Sequence, residues 1–219
     1  MPHTTTNGGL HEFVGEHVLA PYAKRGIRAC DLGSGPGAMA ARLQALGCEV
    51  VAADRDPAGF EAATRHVTVD FDQPDFAAEI GAAQFSIVTA IEVIEHVESP
   101  IGFLSNVARL LAGGGIAVIT TPNVDCLPAR IKLLIAGRIR TMDEHGEPTH
   151  ISPIFLDLFR RQYVKRAGLR LREHWVFPPR GYQLSRKSVA VALGFLARVL
   201  PGEALLGDNH VFVLERGTS

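Results

Sequence analysis

Two short stretches hold residue types able to do chemistry. The first is Asp31-Leu-Gly33-Ser34-Gly35-Pro-Gly37, an acid followed by glycines at every second position. Glycines in that pattern let a turn of backbone approach a ligand where a side chain would collide. The second is Glu92-Val-Ile-Glu95-His96, directly after an apolar run. Carboxylates and an imidazole so close together can move protons or ligate a divalent cation of moderate hardness. If a helix starts at Glu92, then Glu95 and His96 lie three and four positions on and share its face. Of the later histidines, His150 is the better placed to join them, because it precedes Ile-Ser-Pro at the start of a helix. His145 competes from the same loop.

These residues need a scaffold that brings them to one edge. Apolar runs alternate with helical patterns, which predicts an α/β fold with a doubly wound, mostly parallel seven-stranded sheet. The expected strands are 28–32, 49–53, 67–70, 85–91, 116–121, 169–176 and 210–216. The expected helices are 10–24, 38–46, 57–65, 100–111, 125–139, 153–167 and 183–200, with a lid-like insertion after the fifth strand. In such a sheet ligands sit beyond the carboxyl ends of the strands, where strand order reverses. The glycine turn falls at that edge. Asp54 ends the second strand, where a carboxylate can accept from both ribose hydroxyls. Asp70 ends the third, where with Phe71 it can flank an adenine. Asp31 favours a cationic amino group, which a pyrophosphate would oppose. The glycine spacing also differs from the G-x-G-x-x-G of nicotinamide dinucleotide folds.

Asp31–Gly37, Asp54, Asp70, the run from Phe85 to Val97, and Leu111-Ala-Gly-Gly-Gly through Thr121-Pro-Asn123 together resemble class I S-adenosylmethionine-dependent methyltransferases. The resemblance covers roughly residues 27–123 and returns in the tail from Ile151 to Leu171. It implies a Rossmann-like fold and S-adenosylmethionine as cofactor. Gly33, Ser34, Gly35 and Gly37 would face the methionine part, Asp54 the ribose with Arg55 beside it, Asp70 and Phe71 the adenine, and Ile91 would line the site. The Glu92-to-His96 string is similar to the E-x-x-E-H segment of two metal-dependent groups, the ubiquinone-biosynthesis O-methyltransferases and the small-RNA terminal 2′-O-methyltransferases. Carried over, Glu92, Glu95 and His96 would hold Mg²⁺, Mn²⁺, Fe²⁺ or Zn²⁺, with His150 as a fourth ligand. His96, Glu92 and His150 become the catalytic candidates. Methyl transfer from a sulfonium is an in-line displacement governed by positioning, and a hydroxyl acceptor must also lose its proton. A histidine base, or a cation lowering the acceptor's pKa, supplies that step, so the cluster suits O-methylation.

Composition sets the outer bounds. With 219 residues, 47% hydrophobic and 21% charged, the chain fits one globular domain and excludes a disordered one. The expected division is a cofactor core at 27–123, a lid at 124–152, and C-terminal helices and strands at 153–219. Cys30, Cys48 and Cys126 lack metal spacing and fit a reduced, cytoplasmic setting, and no export signal is visible. Net charge is −1, but residues 1–125 hold 7 basic against 15 acidic side chains and residues 126–219 hold 15 against 8. Solvated helix faces explain that split, or else the second half faces an anionic substrate or surface. The basic segment Leu127–Arg140 reads as a helix packed by its apolar face, with a substrate lid, a contact for phosphorylated groups or a membrane-surface helix as alternatives. Val189–Leu200, interrupted by Arg198, is too short to span a bilayer and is expected to pack in the core, with a surface-binding helix as the alternative. The expected acceptor is a small-molecule or glycan hydroxyl. An RNA 2′-hydroxyl is the alternative, without a basic aromatic platform to support it. A nicotinamide-dependent oxidoreductase and an inactive cofactor-binding subunit are the alternatives from other classes.

Overall fold

The computed structural model describes residues 7–144 and 147–217, and His145 lies outside the described residues. One sheet runs through them. Its strands are β1 (Arg28–Leu32), β2 (Glu49–Asp54), β3 (Arg65–Thr68), β4 (Phe85–Ile91), β5 (Leu111–Pro122), β6 (Leu169–Phe177) and β7 (Asn209–Arg216). They lie in the order β3-β2-β1-β4-β5-β7-β6. β1 to β5 pair in parallel, while β7 inserts antiparallel between β5 and β6. The chain winds outward from β1 to β3 and then returns to β4 on the other side of β1. The carboxyl ends of β1 and β4 therefore flank the point where strand order reverses.

Alternation along the central strands builds two layers. Cys30, Leu32, Val88, Ala90, Ala117 and Ile119 point to one face, where Phe76, Phe103, Phe159 and Phe212 fill the core. Ala29, Ile87, Ile91, Ile116 and Val118 point to the other, against Leu10, Val14, Met39 and Leu43. The second layer carries α1 (residues 10–19, passing from an α-turn into a π-helix) and α2 (Ala38–Ala45). The first carries α3 (Phe76–Ile80), α4 (Pro100–Leu110) and α6 (residues 156–166). Ser99 caps α4 by accepting from the Gly102 N–H at 3.1 Å, and Pro100 occupies its first turn. Helices α5 (Leu127–Ala136) and α7 (Lys187–Val199) pack together over a smaller cluster of Cys126, Ala129, Tyr182 and Ala197.

Three expectations are corrected. No helix forms over 57–65. Asp54 and Asp56 instead take the next backbone N–H groups (Asp56 N–H at 3.2 Å, Ala58 N–H at 2.8 Å), and the Glu61 N–H reaches back to the Pro36 carbonyl at 3.0 Å. Short acidic side chains offer the backbone an alternative to a helix, and here they win. The third strand spans Arg65–Thr68, so Asp70 lies beyond it. The third correction concerns Val189–Leu200. α7 buries Ala190, Gly194 and Ala197 and exposes its large side chains, with Val191 at 73%, Phe195 at 67% and Val199 at 63%. A Cβ on Gly194 would stand 3.5 Å from the Gly181 Cα, so the chain at Gly181 passes close to this side of the helix. Helix α3 was not foreseen, because a five-residue helix capped by Asp75 shows no periodicity. Among the described residues, no helix is long and apolar enough to cross a membrane.

Candidate active site

A cavity of about 460 Å³ opens at the switch point. One wall is the glycine turn. Gly33 and Gly35 adopt φ values of +67° and +48°, the left-handed region that glycine reaches without strain. Both line the cavity together with Ser34. The turn is pinned by Asp54 of β2, whose Oδ2 accepts from the Gly35 N–H at 2.8 Å. Arg55, Phe71 and Ile91 also line the cavity. Because Asp54 both lines the space and anchors the turn, Asp54→Ala is expected to weaken S-adenosylhomocysteine binding by about 10- to 150-fold, the range for losing a charged hydrogen bond. Isothermal titration measures this, and a change below threefold would rule it out.

Three residues expected at the cofactor are not in the cavity lining. Asp31 is buried beneath the turn, where its Oδ1 accepts from the Thr89 hydroxyl at 2.7 Å and its Oδ2 has no hydrogen-bond partner. Burial pushes its carboxyl up to about 7, against the pull of that hydrogen bond. Gly37 (φ +96°) begins α2, and a Cβ there would stand 2.7 Å from the Ala62 Cβ. Its role is to seat the 57–64 segment. Asp70 turns outward to Arg55 at 2.6 Å, which holds its carboxyl below the usual range. Asp72 faces the cavity instead. It is fixed there by accepting from the Glu98 N–H at 2.8 Å.

The opposite wall carries the acid and histidine cluster, and it divides. Glu92 follows β4 with φ +54°, a strained value for a non-glycine residue of the kind that gathers at functional sites. Its N–H donates to Thr120 Oγ1 at 3.0 Å, and its carboxylate accepts from Asn209 Nδ2. A short 3₁₀ turn, Ile94–His96, follows in place of an α-helix, so Glu92 and Glu95 do not share a face. Glu92 thus lies outside the group that Glu95, His96 and His150 form, whose ligand atoms all fall within 4.8 Å of one another.

That group has the chemistry of a cation site. Both Glu95 carboxylate oxygens are buried without a hydrogen-bond partner among the described residues. Burial, and then the charge of Glu92, pushes the carboxyl well above its ordinary value. His96 Nδ1 lies 3.2 Å from the Thr149 carbonyl, and His150 Nδ1 lies 2.9 Å from the Thr141 carbonyl. A carbonyl can only accept, so each Nδ1 carries the proton and each Nε2 keeps its lone pair. Metal-binding histidines are oriented by outer contacts of this kind. His150 Nε2 lies 4.0 Å from Glu95 Oε1, and the two imidazoles meet edge to face at 4.6 Å. Burial lowers both histidines, which keeps them neutral donors.

The cavity also includes His11, Glu147 and Thr149, which sequence patterns did not single out. His11 is 8% exposed, and neither of its ring nitrogens has a partner among the described residues. Burial, reinforced by the Arg42 guanidinium, lowers it to about 4. A lone histidine in an N-terminal helix has no motif that would have found it.

The parallel sheet, the glycine turn at its switch point and the acid closing the next strand define a class I S-adenosylmethionine-dependent methyltransferase. Comparison with known sequences gives the narrower result: residues 11–174 match the family described as Methyltransferase domain, and the chain belongs to it. A ubiquinone biosynthesis O-methyltransferase of Cereibacter sphaeroides is 34% identical over 162 residues, covering 69% of this chain and 64% of that protein. Another from Ruegeria pomeroyi is 31% identical over 182 residues, covering 75% and 68%. The chain therefore spans just under two thirds of the length of the Cereibacter relatives. A SAM-dependent methyltransferase structure from Archaeoglobus fulgidus superposes with a TM-score of 0.66 at 17% identity, covering 94% of each chain, and so shares the fold.

Proposed function

We propose that this methyltransferase transfers the methyl group of S-adenosylmethionine to a hydroxyl of a small molecule, with a divalent cation held by Glu95, His96 and His150. The observation that carries the reading is Glu95. A fully buried carboxylate with both oxygens unpartnered is costly unless a cation or proton meets it. Two neutral imidazoles beside it complete a mixed oxygen and nitrogen donor set. The printed names of the relatives support O-methylation as the reaction type. A bound cation would lower the pKa of the acceptor hydroxyl.

The rest of the chemistry falls to the protein's own side chains. The glycine turn and Asp54 hold the donor from one wall, with Phe71 and Asp72 at the adenine end. His96 and His150 face them across the cavity; with both Nε2 lone pairs given to the cation neither serves as a base, and a hydroxyl acidified by that cation would release its proton to solvent as it meets the methyl. Glu92, fixed to Asn209, shapes the β4 end of the cavity and can orient the acceptor. Since the displacement is in line, most of the rate comes from holding these walls apart at the right distance.

An acceptor screen with labelled methyl donor, run with and without exhaustive chelation, tests the proposal. Transfer to phenolic or alcoholic hydroxyls is expected, with a loss of at least about a hundredfold in Glu95→Ala and on chelation, restored by added divalent metal. Transfer that survives chelation and is unchanged in Glu95→Ala would remove the cation. Transfer confined to amines would remove O-methylation.

A further inference from the structure

We infer that the paired outer faces of α5 and α7 form a docking surface for an anionic lipid bilayer. The observation is an inverted helix. An ordinary surface helix buries its large apolar side chains and shows its small and polar ones. α7 does the reverse, burying Ala190, Gly194 and Ala197 while Val191, Phe195 and Val199 stand 73%, 67% and 63% exposed. α5 adds a second apolar edge beside it. Its last turn leaves the core, with Leu134 at 86% and Ile135 at 79% exposed, before Gly137 ends the helix. The two helices meet through Ile131, Leu193 and Ala197, so both outer faces belong to one surface. Contiguous exposed apolar area of this kind marks an interaction site.

Charge selects the occupant. Neither helix contains an acidic residue. Arg186, Lys187 and Arg198 stand exposed around the apolar residues of α7, and Arg130 stands exposed on α5. Aromatic and aliphatic residues ringed by basic ones fit the interface of an anionic membrane, where the apolar groups enter the acyl boundary and the cations meet headgroups. A second copy fits less well, because a two-fold interface would set this basic rim against itself. The surface also connects to the active site, since α5 leads into the segment whose Thr141 and Thr149 carbonyls hold His150 and His96. The inference does not depend on the acceptor or on the cation.

Vesicle co-sedimentation tests it, using phosphatidylglycerol-containing and pure phosphatidylcholine vesicles. Binding to the anionic vesicles is expected to be at least about tenfold tighter and to fall as salt is raised. Phe195→Glu combined with Leu134→Glu is expected to abolish it. Arg186→Gln with Lys187→Gln and Arg198→Gln is expected to weaken it about a hundredfold at low salt. S-adenosylhomocysteine affinity, measured on the same variants, should stay unchanged and so reports that they fold. Equal binding to both vesicle types, or full binding by the Phe195→Glu and Leu134→Glu variant, would overturn the inference. So would an absence of vesicle binding, including the case where concentration-dependent dimerisation shows that a second copy covers the face. The salt titration of the unmodified protein decides the charge argument even if a variant does not fold.

Discussion

Gly33→Ala is expected to weaken S-adenosylhomocysteine binding by about thirtyfold to several thousandfold. At φ +67° an alanine pays about 1–2 kcal/mol for the left-handed conformation. Its Cβ would also overlap the Val93 Cγ2 on the facing wall. Forcing an extra methyl into a packed contact adds about 1–3 kcal/mol, and the two together make about 2–5 kcal/mol. The loss should appear in cofactor affinity because Gly33 and Val93 both line the cavity, so relieving the overlap moves a wall of the site. Titration calorimetry measures it. Adding Val93→Ala to Gly33→Ala removes the overlap but not the backbone strain, so it should restore part of the affinity. Wild-type affinity in Gly33→Ala alone would mean that the turn does not hold the cofactor.

The second large effect is a pH dependence of stability at Asp31. Burial raises this carboxyl from 3.8 to about 7. The folded protein therefore holds a proton that the unfolded chain releases, and stability falls as pH rises between those two values. The contribution is fully present below about 4 and lost above about 7, a span on the order of 4 kcal/mol. Asn imitates the protonated acid without titrating. Denaturant unfolding from pH 5 to 8.5 should show Asp31→Asn gaining on the wild type as pH rises, with the gain levelling off above about 7. A difference between the two that does not vary with pH would refute the assignment. Glu92 and Glu95 are also raised by burial, but they titrate alike in both proteins and cancel from the comparison.

Much of the cavity wall built by the glycine turn was legible before any fold was known. The strands 28–32 and 85–91 were expected at the bounds the structure shows, because each is an apolar run cut off by a glycine turn or by an acid. The last strands and the α4 helix also fell within a residue or two of expectation. Other readings failed for physical reasons. The 57–65 helix lost to Asp54 and Asp56 bonding their own backbone, a local competition that hydrophobic period does not register. Asp70 was expected to flank an adenine, and Asp72 was not singled out. Arg55 drew Asp70 away, and the Glu98 N–H held Asp72 at the cavity.

What the sequence determined by itself was one wall of the cavity: an acid and alternating glycines at one strand end, an acid at the next, and a parallel sheet to align them. These are properties of short stretches, where residue type dictates backbone shape. Only the tertiary structure decided which side chains share a space. It separated Glu92 from Glu95, because the positive φ and the 3₁₀ turn replaced the helix that would have stacked them. It brought His150 to Glu95 across 55 residues and put His11 in the cavity. It turned Val191, Phe195 and Val199 of α7 outward and buried Ala190, Gly194 and Ala197, with Gly181 passing close to Gly194. Contacts between distant segments depend on how elements seat against one another, and local pattern does not carry that information.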